Sequence, residues 1–92
     1  MIQSEKLKRR HMAIVVEDQE INRDLLADIL EDEDYVVLTA ENGAIGMELI
    51  RQNKEKLSII LLDLIMSVMD GFEVLRQLRE DEELSQIPVI VL

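Results

Sequence analysis

SIILLDLIMSVMDG, residues 58–71, is the stretch that decides how this chain folds. An almost unbroken apolar run stops at Asp63, and a loop containing two methionines follows it up to Gly71. Short apolar runs bounded by turn residues fit strands buried on both faces, the pattern of a parallel sheet lying between layers of helices. The earlier stretch AIVV, residues 13–16, repeats the arrangement and ends in Glu17 and Asp18. Strands that terminate in carboxylates bring those groups to one rim, because ligand crevices of open α/β sheets lie outside the carboxyl ends of the strands.

Outward from these two strands, Ile21, Leu25, Leu26, Ile29 and Leu30 recur at helical spacing and predict an amphipathic helix over 20–30. The run EDED, residues 31–34, ends it as a solvated loop, since adjacent like charges repel and hydrate readily. Residues 35–39 read as the second strand. A second helix over 42–52 turns Ile45, Leu49 and Ile50 inward, with Gly46 allowing close packing despite its cost to the helix. A third helix over 71–79 carries Phe72, Leu75 and Leu78 on one stripe. Residues 87–92 form a fourth strand, with Pro88 near its start, where a missing donor is tolerated. This alternation implies right-handed crossovers and a parallel sheet.

Ninety-two residues, 48% hydrophobic and 33% charged, describe one soluble globular domain. No apolar run approaches the roughly 20 residues of a membrane span, and MIQSEKLKRR lacks the apolar core of a secretory signal. No membrane association and a cytoplasmic location are therefore expected. With no cysteine and one histidine, thiol catalysis, thiolate sites and histidine clusters are excluded, so any metal would be held by oxygen. The charge of -10 is uneven: residues 1–12 carry four Lys or Arg against one Glu, which leaves -13 on residues 13–92. An acidic body repels phosphate, which argues against direct nucleic acid binding by this domain. Residues 1–12 read as a basic tail or interdomain linker, with His11 outside the acidic constellation, and residues 13–92 as the folded domain.

Asp18 and Asp63 on adjacent strands would stand roughly 5 Å apart in the pairing direction. Carboxylates that close raise each other's pKa, and a divalent cation relieves the repulsion. Magnesium suits an all-oxygen set, because it keeps several waters and is commonly completed by a substrate phosphate. A carboxylate beside it can act as a nucleophile toward phosphorus, giving an aspartyl phosphate by positioning and charge neutralisation.

Three segments in order, AIVVEDQEINRDLLADIL, IILLDLIMSVMDGFEVLRQLR and IPVIVL, make residues 13–92 resemble a two-component response-regulator receiver domain. The resemblance implies an α/β, flavodoxin-like three-layer fold, here an incomplete one. Four parallel strands in order 2-1-3-4 and three helices are expected, without the family's fifth strand and last two helices. It implies Asp63 as phosphoacceptor, with a sensor histidine kinase or phosphotransfer protein as partner and an attached or separate output. Mg2+ would be held by Asp18 and Asp63 directly, by the backbone carbonyl of Ile65, and by Glu17 through water. Asp70 and Gly71 would shape the loop into the third helix, Gly71 through backbone freedom. Asn22 and Arg23 are expected on the helix surface, and Met66 and Met69 between loop and core.

Ser67 departs from the family's usual proline and predicts a looser loop. Ile65 is expected to obstruct the hydrolytic water and lengthen the life of a phosphoryl group. The family's hydroxyl residue after the fourth strand and its lysine ending a fifth are not among the 92 residues. Lys54 and Lys56 precede the third strand and lie at its opposite end. Impaired phosphorylation and signal transmission are therefore expected of this form, and the apolar fourth strand, as a sheet edge, is expected to promote self-association. A different reading is a Mg2+-dependent phosphotransferase or phosphatase with an aspartyl nucleophile. Such enzymes usually carry an acidic residue two positions past the nucleophile, where Ile65 stands. A third is an interaction module that is never phosphorylated.

Overall fold

The computed structural model describes residues 11–92, so residues 1–10 of the expected basic tail lie outside the described residues. Strands β1 (Met12–Val16), β2 (Val36–Ala40), β3 (Leu57–Leu62) and β4 (Val89–Val91) form one parallel sheet in the order β2-β1-β3-β4. Between them run helices α1 (Glu20–Asp32), α2 (Gly43–Asn53) and α3 (Gly71–Glu80), and a 3-10 turn, Leu84–Gln86, precedes β4. This is the expected flavodoxin-like arrangement. Right-handed crossovers with this order put α1 on one face and α2 and α3 on the other.

β1 lies between two neighbours, and Ala13, Ile14, Val15 and Val16 are all fully buried. Ile14, Val16, Ile60 and Leu62 meet Met47, Ile50, Val74 and Leu78 in the main core. Gly46 lets α2 sit directly on β1, as its position in the sequence suggested: a Cβ there would come within 2.8 Å of a Val16 methyl. Side chains set the starts of α2 and α3. Asn42 accepts the N–H of Ile45 at 2.9 Å, and Asp70 accepts the N–H of Glu73 at 3.0 Å, each satisfying an otherwise orphaned donor. Among the described residues, no helix is long and apolar enough to cross a membrane.

Several expected faces are corrected. α1 buries no residue fully: Arg23, Leu26, Ala27 and Leu30 turn toward the sheet, whereas Ile21 is 83% exposed and Leu25 and Ile29 are also exposed. Its sequence holds two overlapping apolar rows, and at roughly 100° per residue one helix cannot press both against the same surface. The same applies to α2, where Ile45 is exposed and Gly46, Met47 and Ile50 are buried. In α3, Val74 and Leu78 are buried while Phe72 is 61% exposed. Half of the acidic run 31–34 is helical, since α1 continues to Asp32, and the chain reverses through Asp34 at φ 68°. β4 is shorter than the expected 87–92, spanning Val89–Val91: Ile87 caps the 3-10 turn with its N–H on the Leu84 carbonyl at 3.1 Å, and Pro88 has no N–H to give the ladder, although its carbonyl accepts the N–H of Ile60 at 3.0 Å.

Candidate functional site

Register decides which carboxylates meet. Val16 and Leu62 are the last Cα partners of β1 and β3, so Glu17 and Asp63, one residue further on, leave the sheet side by side. The N–H of Asp63 donates to the Val16 carbonyl, and that of Glu17 to the Ala40 carbonyl, both at 3.0 Å. Asp18 follows on the loop into α1. Carboxylate oxygens of Glu17, Asp18 and Asp63 all lie within 4.8 Å of one another. The expected convergence is therefore present, with one refinement: Glu17 is the register neighbour of Asp63, and Asp18 reaches in from the loop.

Electrostatics follow from this crowding. Glu17 is only 6% exposed, and its burial raises its pKa above the usual 4.5. A hydrogen bond and charge repulsion from Asp63 push it the same way, while the Gln19 N–H, 3.4 Å from Oε2, opposes them. Three carboxylates with no nitrogen or sulfur donor make a hard, anionic set. Such a set fits a divalent cation like Mg2+, which would relieve the mutual repulsion.

The loop after β3 fixes Asp63. Asp63 Oδ1 takes the N–H of Ile65 at 3.0 Å, which holds the carboxylate's rotation, and the Ile65 side chain stands 83% exposed. Gly71 donates its N–H to the Leu64 carbonyl at 3.0 Å. A Cβ on Gly71 would lie 2.3 Å from the Asp63 carbonyl oxygen and 2.4 Å from the Leu64 Cα. Its φ is not left-handed, so the expected need for backbone freedom is corrected: close backbone approach requires the glycine. Val68 and Met69 bear the loop's unusual geometry at φ 24° and 55°, values uncommon for residues with side chains. Met66 and Met69 pack against the core as expected.

Arg23 was expected on the surface, and the structure places it otherwise. Its Nη1 donates to the Glu17 carbonyl at 3.0 Å and approaches the Asp18 carbonyl at 3.4 Å. An arginine one turn into the helix that leaves an acidic loop was the available signal, since its reach covers that loop. Lys54 is engaged elsewhere, pairing with Glu83 at 3.0 Å. His11 lies at the other end of the sheet, bonded to Ser58 at 3.2 Å with its ring 5.8 Å from that of Tyr35.

The sequence profile described as the response regulator receiver domain matches residues 13–92. The chain belongs to the response regulator receiver domain family. This receiver is 40% identical over 79 residues to protein PilH of Pseudomonas aeruginosa, a match spanning 86% of this chain and 64% of PilH. It is 35% identical to the polar-differentiation response regulator DivK of Brucella anthropi, spanning 86% of this chain and 63% of DivK. The receiver thus spans somewhat under two thirds of the length of these curated relatives. Among solved structures, it resembles the N-terminal domain of a response regulator receiver protein from Methanoculleus marisnigri JR1. That match has a TM-score of 0.80 and 30% identity, over 88% of this chain and 64% of that one. The Mn2+-bound form of response regulator Rcp1 is similar at a TM-score of 0.77 and 28% identity, over 88% of this chain and 63% of that one. Receiver domains of this family act in two-component signalling, and that is the class of this chain.

Proposed function

We propose that this receiver accepts a phosphoryl group on Asp63 in a two-component phosphorelay and thereby regulates an attached or separate output. The convergence of the Glu17, Asp18 and Asp63 oxygens within 4.8 Å carries the reading. Asp18, Asp63 and the backbone carbonyl of Ile65 are the groups to hold Mg2+ directly, with Glu17 acting through water. Bound there, the ion supplies positive charge against the carboxylates and the transferring phosphoryl oxygens. The likeness to a response regulator solved in a Mn2+-bound form supports a divalent cation as the ion.

Asp63 reacts as a carboxylate, so it has no proton to give up. One of its oxygens attacks the phosphorus of a phosphohistidine on a sensor histidine kinase or phosphotransfer protein. The P–O bond forms as the P–N bond breaks, and the leaving imidazole keeps the electron pair and takes a proton from solvent. The Ile65 N–H on Oδ1 keeps the carboxylate oriented during the attack. Incubation of the 92-residue chain with acetyl phosphate and Mg2+ is expected to add one phosphoryl group slowly, detected by intact mass. Chelation of the metal and Asp63→Asn are both expected to prevent it. An adduct that persists in Asp63→Asn would overturn the assignment.

A further inference from the structure

Arg23 has no part in the chemistry above, yet it is bonded to the backbone of the residues that perform it. Its Nη1 is 3.0 Å from the Glu17 carbonyl and 3.4 Å from that of Asp18. Its own N–H closes the first helical turn on the Gln19 carbonyl at 2.9 Å, and the Gln19 N–H returns to Glu17 Oε2 at 3.4 Å. Residues 17–19 are therefore fastened to α1 by both the side chain and the backbone of one residue.

We infer that Arg23 is a positioning residue for the acidic cluster, holding the Glu17–Asp18 backbone so that both carboxylates face Asp63 and divalent-cation affinity rises. The inference rests on the metal reading of the site. Three carboxylates within 4.8 Å repel one another, and Asp18 lies beyond the last paired residues of the sheet. No sheet hydrogen bond keeps Asp18 from swinging outward. A guanidinium supplies what the sheet does not, because its planar donors are preorganised and its bonds to carbonyls are charge-assisted.

The sign of the effect separates positioning from simple electrostatics. Arg23's positive charge repels a cation, so Coulomb's law alone predicts tighter Mg2+ binding once the charge is removed. Positioning predicts weaker binding. Groups that orient metal ligands commonly change affinity by 10–100-fold, and a hold on backbone carbonyls belongs at the lower end, about tenfold.

The test is a Mg2+ titration of the parent chain and its variants, followed by NMR at the amides of Asp18 and Asp63, with hydrogen exchange measured at the Gln19 amide. Arg23→Met is expected to weaken Mg2+ about tenfold and to speed Gln19 exchange. Arg23→Lys, which keeps the charge but not the planar donor, is expected to fall between it and the parent. Asn22→Ala removes a neighbouring bond to the Gln19 side chain and is expected to leave affinity unchanged. Unchanged or tighter binding in Arg23→Met overturns the inference. Should that variant not fold, parental affinity in Arg23→Lys overturns it instead. If the parent takes up no Mg2+, the metal reading fails on its own account. Gln19 exchange then decides whether Arg23 holds the segment, and an unchanged rate in Arg23→Met would count against it.

Discussion

The backbone N–H of Asp63 reaches the carbonyl of Val16 at 3.0 Å, so a hydrogen bond continuing the β1–β3 ladder forms the floor of the acidic cluster. Two of the three carboxylates thus take their placement from sheet register, which is rigid, and only Asp18 takes it from a loop. A slip of one residue between β1 and β3 would send one of these side chains to the opposite face. Burial of β1 on both faces opposes that slip, so the residues that make the core also aim the site.

Glu17 should leave a pH signature. Burial, aided by Asp63, lifts its pKa above 4.5 in the folded chain. Between 4.5 and that raised value the folded state keeps a proton that the unfolded state has released, so stability falls as pH rises through the window. Glu17→Gln is expected to flatten this part of the profile, raise the Tm near neutral pH and weaken Mg2+ binding. Thermal melts at about pH 5 and about pH 7 check it, and parallel changes in parent and variant would remove Glu17 as the source.

Two glycines should differ in their tolerance of alanine. A methyl on Gly71 meets backbone atoms at 2.3 and 2.4 Å, which cannot move without displacing Asp63 and Leu64. Gly71→Ala is expected to cost about 1–3 kcal/mol, an overpacking penalty, and to shift the Asp63 amide resonance. At Gly46 the obstacle is a Val16 methyl at 2.8 Å, and alanine returns about 1 kcal/mol of helix propensity there. Denaturant titration should therefore find Gly46→Ala the milder change. The reverse order would refute this account.

A parallel sheet with an acidic rim was legible because β1 and β3 read as buried strands followed by carboxylates, whereas the strand order came from the resemblance to the receiver family. Helix faces were harder to read. Ile21 and Leu26 obey the same periodicity, and only the sheet beneath α1 decides which of them turns inward. Gly71 was recognised as structural, but from sequence alone its close backbone approach is indistinguishable from a special φ. Arg23 escaped because its partners are backbone carbonyls, which any residue supplies, so its place one turn past an acidic loop was the whole of its signal.

Ile65 bears on how long a phosphoryl group would survive. Its N–H is committed to Asp63 Oδ1 while its side chain remains largely exposed, so substitution there leaves the orienting bond in place. Were Asp63 phosphorylated as proposed, an apolar branch two residues past it would hinder an attacking water, and an amide would instead help to bind one. Ile65→Asn is expected to shorten the phosphoryl lifetime several-fold after acetyl phosphate is removed. Loss at the parental rate or slower would rule out this role.

The sheet margin at β4 predicts self-association of the 92-residue chain, opposed by its own charge. Ile90, Val91 and Leu92 are 49%, 46% and 47% exposed, and β4 has a hydrogen-bonded neighbour on one side only among the described residues. Unpaired apolar edges accept further strands, yet a net charge of -10 pushes copies apart. Screening shortens the reach of that repulsion to about 8 Å at physiological ionic strength and leaves the apolar contact intact. Added salt should therefore raise the average mass seen by light scattering, where an ion-pair interface would respond in the opposite sense. Ile90→Lys places a charge on the edge and is expected to reduce association at every salt concentration. A parent chain that stays monomeric at high protein and high salt would eliminate the β4 edge as a contact.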